Sequence, residues 1–220
     1  MRVLKVKITG TGPLLMHNSQ LANPFNKFAQ RLAELNVQKK KKGVDKLEIL
    51  REMADTEWEG GLYYDDKLGP YVPAEMIRAT LIGGARLTRG GKTVERAVFI
   101  PKARFKLNYK GPRKLADLRK DENFRDQRMV RVGQVMVLRT RPMFEEWSVE
   151  VEIGYNEKAI DGEIIRRYLE DAGAFEGFGD GRSLGFGRFE HKEISETVLA
   201  QPGSKKDKTP DNGVGDVAQA

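Results

Sequence analysis

The 220-residue sequence contains no cysteine, which excludes a disulfide framework, thiol catalysis and any thiolate-built zinc or iron–sulfur site. Histidine is almost as scarce: only His17 and His191 are present, so a histidine-built metal centre is not expected and no cofactor is read from the chain. No apolar run approaches the ~18 residues needed to cross a bilayer. The first ten residues, MRVLKVKITG, alternate like a strand and lack the apolar centre of a signal peptide. A cytoplasmic protein without membrane contact is the expectation. From about Ala200 the composition collapses to QPGSKKDKTPDNGVGDVAQA, which has no aromatic residue and reads as a disordered tail over 200–220.

Charge is what the sequence has in abundance. Charged residues make up 32% of the chain, and Lys+Arg exceed Asp+Glu by 39 to 32, a net charge of +7. A basic protein of this kind meets polyanions, of which nucleic acid is the commonest, although a solubilising surface would give the same sum. The length suits one elaborated domain, taken as residues 1–199.

Residues 2–9 set Leu4, Val6 and Ile8 against Lys5, Lys7 and Thr9, the pattern of a half-buried strand. Asn23-Pro24 is expected to open a helix running to about Leu35, and Leu47, Leu50, Ala54 and Trp58 mark a second. Residues 62–64 and 69–72 read as short extended pieces. Pro73 suits the first turn of a helix whose inner face is Met76, Ile77, Leu81 and Gly84. Residues 95–109 are expected to be extended, 110–131 is polar without a clear period, and 132–142 regains strand character. Trp147, Val149, Val151, Ile153 and Tyr155 alternate most cleanly of all. Asp161 should cap a helix with Ile164, Ile165, Tyr168, Leu169 and Ala172 inward, and a last strand is expected near 185–194. Without insertions at 11–72 and 108–143, the order is strand, helix, strand, strand, helix, strand. That is an α+β, ferredoxin-like (RNA-recognition-motif-like) βαββαβ core.

Several motifs fail. Gly91-Lys92-Thr93 lacks the glycine five places earlier that a phosphate-binding P-loop needs, since Arg86 stands there. The C-terminal GxG pairs do not follow a strand in a βαβ unit. Asp65-Asp66 has no third acidic partner at useful spacing and reads as a solvated turn rather than a metal site.

Two concentrations remain. Gly177, Gly179, Gly181, Gly185 and Gly187 fall within eleven residues, interleaved with Phe178, Arg182, Phe186, Arg188 and Phe189. Glycines let a polyanion approach backbone N–H groups, arginines grip phosphates in a forked way, and aromatics stack on bases or fill the core beneath. An ordinary glycine-rich turn before an edge strand is the alternative. Between Pro101 and Glu145 stand thirteen Lys/Arg against five acids, an excess larger than the net charge of the whole chain. Lys102, Arg104, Lys106, Arg113, Lys114, Arg139 and Arg141 are the candidates here, with Phe105, Tyr109 and Phe124 among them. This suits a mobile arm that holds a strand electrostatically, the alternative being a solvated hairpin.

Three stretches resemble one superfamily, the RAMP proteins of CRISPR–Cas systems, and most of all their RNA-binding backbone subunits. GFGDGRSLGFGRF is similar to the family's glycine-rich loop, GPYVPAEMIRATLIGGAR to its extended turn and helix, and VLKVKITGTGPLLMHN to its first strand and following turn. Pro-Ala-Glu-Met stands where the family has Gly-Ser-Ser. The resemblance implies a modified RNA-recognition fold, with 11–72 as a finger or web and 108–143 as a thumb. It implies binding of single-stranded RNA, such as a guide RNA, through Gly177, Gly179, Arg182, Gly185, Gly187 and Arg188 and through the helix N-terminus near Pro73–Met76. It implies, too, assembly with copies of itself in a filament or with other effector subunits. Target-cleaving relatives carry an aspartate after the first strand, whereas no Asp lies between Gly10 and Val44 here. The expectation is therefore a non-catalytic binder. The alternatives are a metal-independent endoribonuclease that processes guide RNA, with His17 as general base, or a phage or mobile-element protein that binds single-stranded nucleic acid, DNA included.

Overall fold

A computed structural model describes residues 1–199, so the tail expected over 200–220 lies outside the described residues. In chain order the strands are β1 (Arg2–Gly10), β2 (Leu14–Leu15), β3 (Tyr64–Asp65), β4 (Gly69–Pro73), β5 (Val98–Phe99), β6 (Arg104–Tyr109), β7 (Arg125–Val132), β8 (Val135–Phe144), β9 (Trp147–Tyr155) and β10 (Phe189–Val198). The helices are α1 (Lys27–Gln38), α2 (Lys46–Gly61), α3 (Ala74–Arg86), α4 (Gly91–Ala97), α5 (Leu115–Lys120) and α6 (Gly162–Asp171). The main sheet runs β10-β1-β9-β6-β4-β3, with β5 added on β9, and β2-β8-β7 form a second sheet. All pairings are antiparallel.

Strict alternation fixes the faces of the main sheet. Leu4, Val6 and Ile8 of β1 and Val149, Val151 and Ile153 of β9 are wholly buried, each worth about 1.5–3 kcal/mol on leaving water. They share one core with Ile77 and Leu81 of α3 and with Ile165 and Leu169 of α6. The two helices approach closely because Gly84 has no side chain: a Cβ there would lie 2.2 Å from the carbonyl oxygen of Tyr168. Asp161 caps α6 through the backbone N–H of Glu163, as expected. Ile164, expected inside, is 42% exposed, because the buried stripe of α6 is narrower than its apolar run.

Other boundaries move for identifiable reasons. The first helix is capped by Asn26 rather than Asn23, which instead accepts from Phe25 N–H ahead of it. Leu47 and Leu50 lie on the outer side of α2, and only Ala54 and Trp58 of the expected face are buried. Residues 95–97 belong to α4, so the expected extended stretch begins at Val98 and is broken between Phe99 and Arg104. The last strand begins at Phe189, four residues after the expected start.

The polar stretch 110–131 contains α5 and the first strand of a β7–β8 hairpin that turns at Gly133-Gln134. Its base is anchored on α2. Arg125 meets Asp55 at 2.7 Å, Arg119 meets Glu59 at 3.0 Å, and Trp58 donates its indole N–H to the carbonyl of Phe124 at 2.8 Å. Buried Glu57 accepts from Arg139 at 2.7 Å and from the N–H of Thr140 at 2.8 Å. The two insertions read separately in the sequence thus pack on each other.

Candidate nucleic-acid interface

After α6 the chain makes a π-type turn over Ala172–Glu176 and enters the glycine loop. All five loop glycines have φ between +67° and +89°. At three of them the reason goes beyond the turn. A Cβ on Gly187 would lie 1.8 Å from the carbonyl oxygen of Phe178, one on Gly179 2.3 Å from that of Leu15, and one on Gly177 2.5 Å from that of Phe186. The loop is therefore laid directly on β2 and on itself. Phe178 is buried beneath it, stacked on Trp147 at 5.6 Å, so this aromatic fills the core. The N–H groups of Gly177, Gly185 and Gly187 donate to the carbonyls of Ala172, Arg182 and Pro13. Those three glycines shape the loop and have no free N–H for an anion.

The loop and the hairpin enclose a cleft of about 830 Å³. Arg131 and Arg141 enter from the hairpin, Phe175 and Glu176 from the π-type turn, and Asp180, Arg182, Leu184 and Arg188 from the loop and its exit. Phe175, Leu184 and Met129 expose large apolar surfaces at 67%, 63% and 54%. Arg128 spans the seam: it is held by Asp126 and lies 4.5 Å over the ring of Phe186. Arg182 reaches Glu176 at 3.6 Å, and Arg141 Nε approaches Asp180 at 2.5 Å. That last contact is misaligned for donation, so Arg141 Nε is buried without a hydrogen-bond partner among the described residues, as is Arg188 Nη1.

The remaining candidates lie elsewhere. Lys102, Arg104 and Lys106 belong to the β6 side of the main sheet, where Lys102 pairs with Glu152 at 2.6 Å and Arg104 with Asp65 at 2.5 Å, while Lys106 is exposed. The N-terminus of α3 is on that side, because Pro73 is registered with Arg104 and the N–H of Ala74 donates to Ala103. Arg113 donates to the carbonyl of Leu107 at 2.7 Å and covers the ring of Tyr109, a local structural role, and Lys114 is an exposed neighbour. Arg139 is turned toward Glu57 and α2. Of the thirteen candidates, the structure gathers Gly179, Arg182, Arg188 and Arg141 on the cleft, while Gly177, Gly185 and Gly187 shape the loop without lining the cleft.

His17 is exposed just beyond β2. Its imidazole is held below the ordinary histidine pKa, chiefly by the loss of water on its packed side, with Asp180 opposing and Arg141 reinforcing the shift. The shift favours the neutral form, and the group is within electrostatic reach of Asp180 and Arg141 in the cleft. His191 is lowered for the same leading reason, with Glu170 opposing. The sequence reading missed Phe175, Glu176 and Asp180. The run Gly179-Asp180-Gly181 was the available signal, an acid fixed between two glycines in an otherwise basic loop. Among the described residues no group of three or more His, Asp or Glu is placed to hold a metal ion, and no helix is long and apolar enough to cross a membrane. In comparison with known proteins, the chain matches no family model and no curated protein.

Proposed function

We propose that this protein binds single-stranded RNA in the cleft between the glycine loop and the β7–β8 hairpin, as a non-catalytic backbone-type protein that assembles along a guide or other RNA. One observation carries the reading. The cleft sets Arg131, Arg141, Arg182 and Arg188 beside exposed Phe175, Leu184 and Met129. Guanidinium groups for phosphates next to apolar faces for bases are what sequence-tolerant recognition of a single strand requires. The strand order β10-β1-β9-β6, with α3 and α6 on the connections, supports a ferredoxin-like reading of the core. That core and the glycine loop are in keeping with the resemblance to RAMP backbone subunits.

The test is fluorescence anisotropy with labelled single-stranded RNA over a salt series, against a single-stranded DNA competitor. Affinity should fall with salt by a slope of about 0.7 per phosphate neutralised. Arg182→Ala should weaken binding on every sequence tried, and RNA should win over DNA because only RNA offers the 2′-hydroxyl. An affinity untouched by Arg182→Ala would remove the cleft as the binding surface. Size-exclusion mass before and after RNase checks assembly: a large particle should collapse on digestion.

A second reading has its own observation. His17 lies within electrostatic reach of Asp180 and Arg141, and its lowered pKa favours the neutral imidazole that a general base needs. Metal-independent cleavage of a hairpin RNA by the wild type, abolished in His17→Ala, would make the protein a ribonuclease.

A further inference from the structure

We propose that the carboxylate of Asp180 is a built-in stand-in for a backbone phosphate, held on Arg141 until a polynucleotide displaces it. The inference rests on the RNA-binding reading of the cleft and names one phosphate subsite within it. Its ligand is a single phosphodiester group, bound by Arg141 with Arg188 beside it.

The geometry is specific. Asp180 stands between Gly179 at φ +76° and Gly181 at φ +67°. Its N–H donates to the carbonyl of Leu15, and a Cβ on Gly179 would strike that same carbonyl. The backbone thus fixes where the Asp180 side chain starts, independently of any ion pair. From there the carboxylate reaches Arg141, whose side chain is only 15% exposed, while the aspartate itself is 35% exposed. A guanidinium with its Nε covered and a more exposed carboxylate make an asymmetric pair: the acid can return to water more readily than the arginine can follow it.

Arg141 is also poorly satisfied by this partner. Its Nε lies 2.5 Å from Asp180 Oδ2 but is not aligned to donate, and Arg188 Nη1, lining the same cleft, has no hydrogen-bond partner among the described residues. Buried donors left unpaired are costly, and native structures avoid them unless something else completes the site. A phosphodiester spreads one negative charge over two non-bridging oxygens in tetrahedral geometry and is free to choose its position, so it can meet aligned donors on Arg141 and Arg188. The Asp180 carboxylate, by contrast, is tethered by its backbone and is not aligned with Arg141 Nε. Glu176 on Arg182, at 3.6 Å and with both groups partly exposed, is a looser contact of the same sign.

The consequence is that free protein presents a muted cleft. Removing the Asp180 charge should strengthen RNA binding even though it deletes a favourable contact of the folded state. The experiment is anisotropy on the full chain with labelled 12-nucleotide single-stranded RNA. It compares wild type, Asp180→Asn, Asp180→Ser, Arg141→Gln and the double variant Asp180→Asn/Arg141→Gln, each confirmed folded by its thermal melt. Two substitutions at 180 guard against one of them failing to fold. We expect Asp180→Asn and Asp180→Ser to bind about two- to fivefold more tightly. Arg141→Gln should bind more weakly, and the gain should vanish in the double variant. If Arg182→Ala weakens binding while both Asp180 variants bind no better than wild type, the stand-in is refuted and the RNA-binding reading survives. A gain that persists without Arg141 refutes it too, since the carboxylate would then act only through net charge. If neither wild type nor any variant binds RNA, the reading of the cleft falls and the inference with it.

Discussion

Glu57 is the residue on which the position of the hairpin turns, and replacing it with Gln gives the sharpest test of the fold. Its side chain is 9% exposed and serves two donors from β8, the guanidinium of Arg139 and the N–H of Thr140. Gln is nearly isosteric, so no cavity opens, but its amide nitrogen must face one of two donors. Arg139 is 37% exposed and can turn to water, which holds its share to about 0.5–1 kcal/mol. Thr140 is 1% exposed and its N–H has no such recourse, so losing its acceptor costs about 1–3 kcal/mol. Only one donor loses its acceptor, so the cost runs from about 0.5–1 kcal/mol if the nitrogen faces Arg139 to about 1–3 kcal/mol if it faces Thr140, a sizeable share of the roughly 5–15 kcal/mol that holds a domain together. Urea unfolding should show it as a lower midpoint with an unchanged slope, and amide exchange should be faster at Thr140 than at Val151 in the main sheet. RNA affinity should fall as well, although Glu57 does not line the cleft, because it holds the wall that carries Arg141 and Arg131. A loss under about 0.5 kcal/mol with Thr140 still protected would refute this account of how the hairpin is held.

Two glycines separate strain from collision: Gly185→Ala meets nothing within 4 Å and should cost about 1–2 kcal/mol for its left-handed backbone. Gly187→Ala should cost clearly more, because its Cβ would enter the Phe178 carbonyl, and equal urea midpoints would refute the collision. Both histidines are held below their ordinary pKa, so below about pH 6.5 the unfolded chain binds more protons than the native one and stability falls as pH drops. A His17→Gln/His191→Gln variant should lose less stability than wild type between pH 7 and pH 5.5, and parallel melting curves would count against the shifts. Trp58→Phe keeps an aromatic ring but deletes part of a fully buried indole and strands the carbonyl of Phe124, and should cost about 2 kcal/mol or more; an unchanged melting temperature would refute this anchor.

What the sequence made legible follows from periodicity. Strands β1 and β9 are buried on one face along nearly their whole length, so alternation survives in the letters, and the Asp161 cap needs only one side chain in one place. Within the β7–β8 hairpin the stretch 132–142 reads as strand, with a solvated hairpin as the alternative, but β7 itself was not legible, for the opposite reason. Arg131, Val135 and Met136 near its turn are all exposed, so no inside–outside pattern is imposed there, and RDQRMVRV reads as polar chain. Its turn, Gly133-Gln134, lacks the Asn-Gly or Asp-Gly pair that announces a two-residue hairpin. The docking of the hairpin on α2 was equally hidden, since Asp55, Glu57 and Glu59 look like the solvated face of a helix until their partners 60 to 82 residues away are known.

The same pairing changes what the charge excess means. Thirteen cations between Pro101 and Glu145 suggested an arm whose whole surface was available to a polyanion. In the folded chain Arg119, Arg125 and Arg139 face the acids of α2, Lys102 and Arg104 face acids beside the main sheet, and Arg128 is held by Asp126. Arginines paired within the fold contribute little to a ligand, because a phosphate must first outbid a carboxylate already in place. Arg131 and Arg182 are different in kind: among the described residues one contacts a backbone carbonyl and a glutamine in its own turn and no acid, and the other has only a distant contact to Glu176. Binding strength should therefore follow those two side chains and the release of Arg141, and not the count of basic residues. Neutralising Lys102 and Lys106 together should change RNA affinity less than Arg131→Ala alone, although it removes twice the charge. The opposite ranking in the same anisotropy assay would move the interface from the cleft to the sheet.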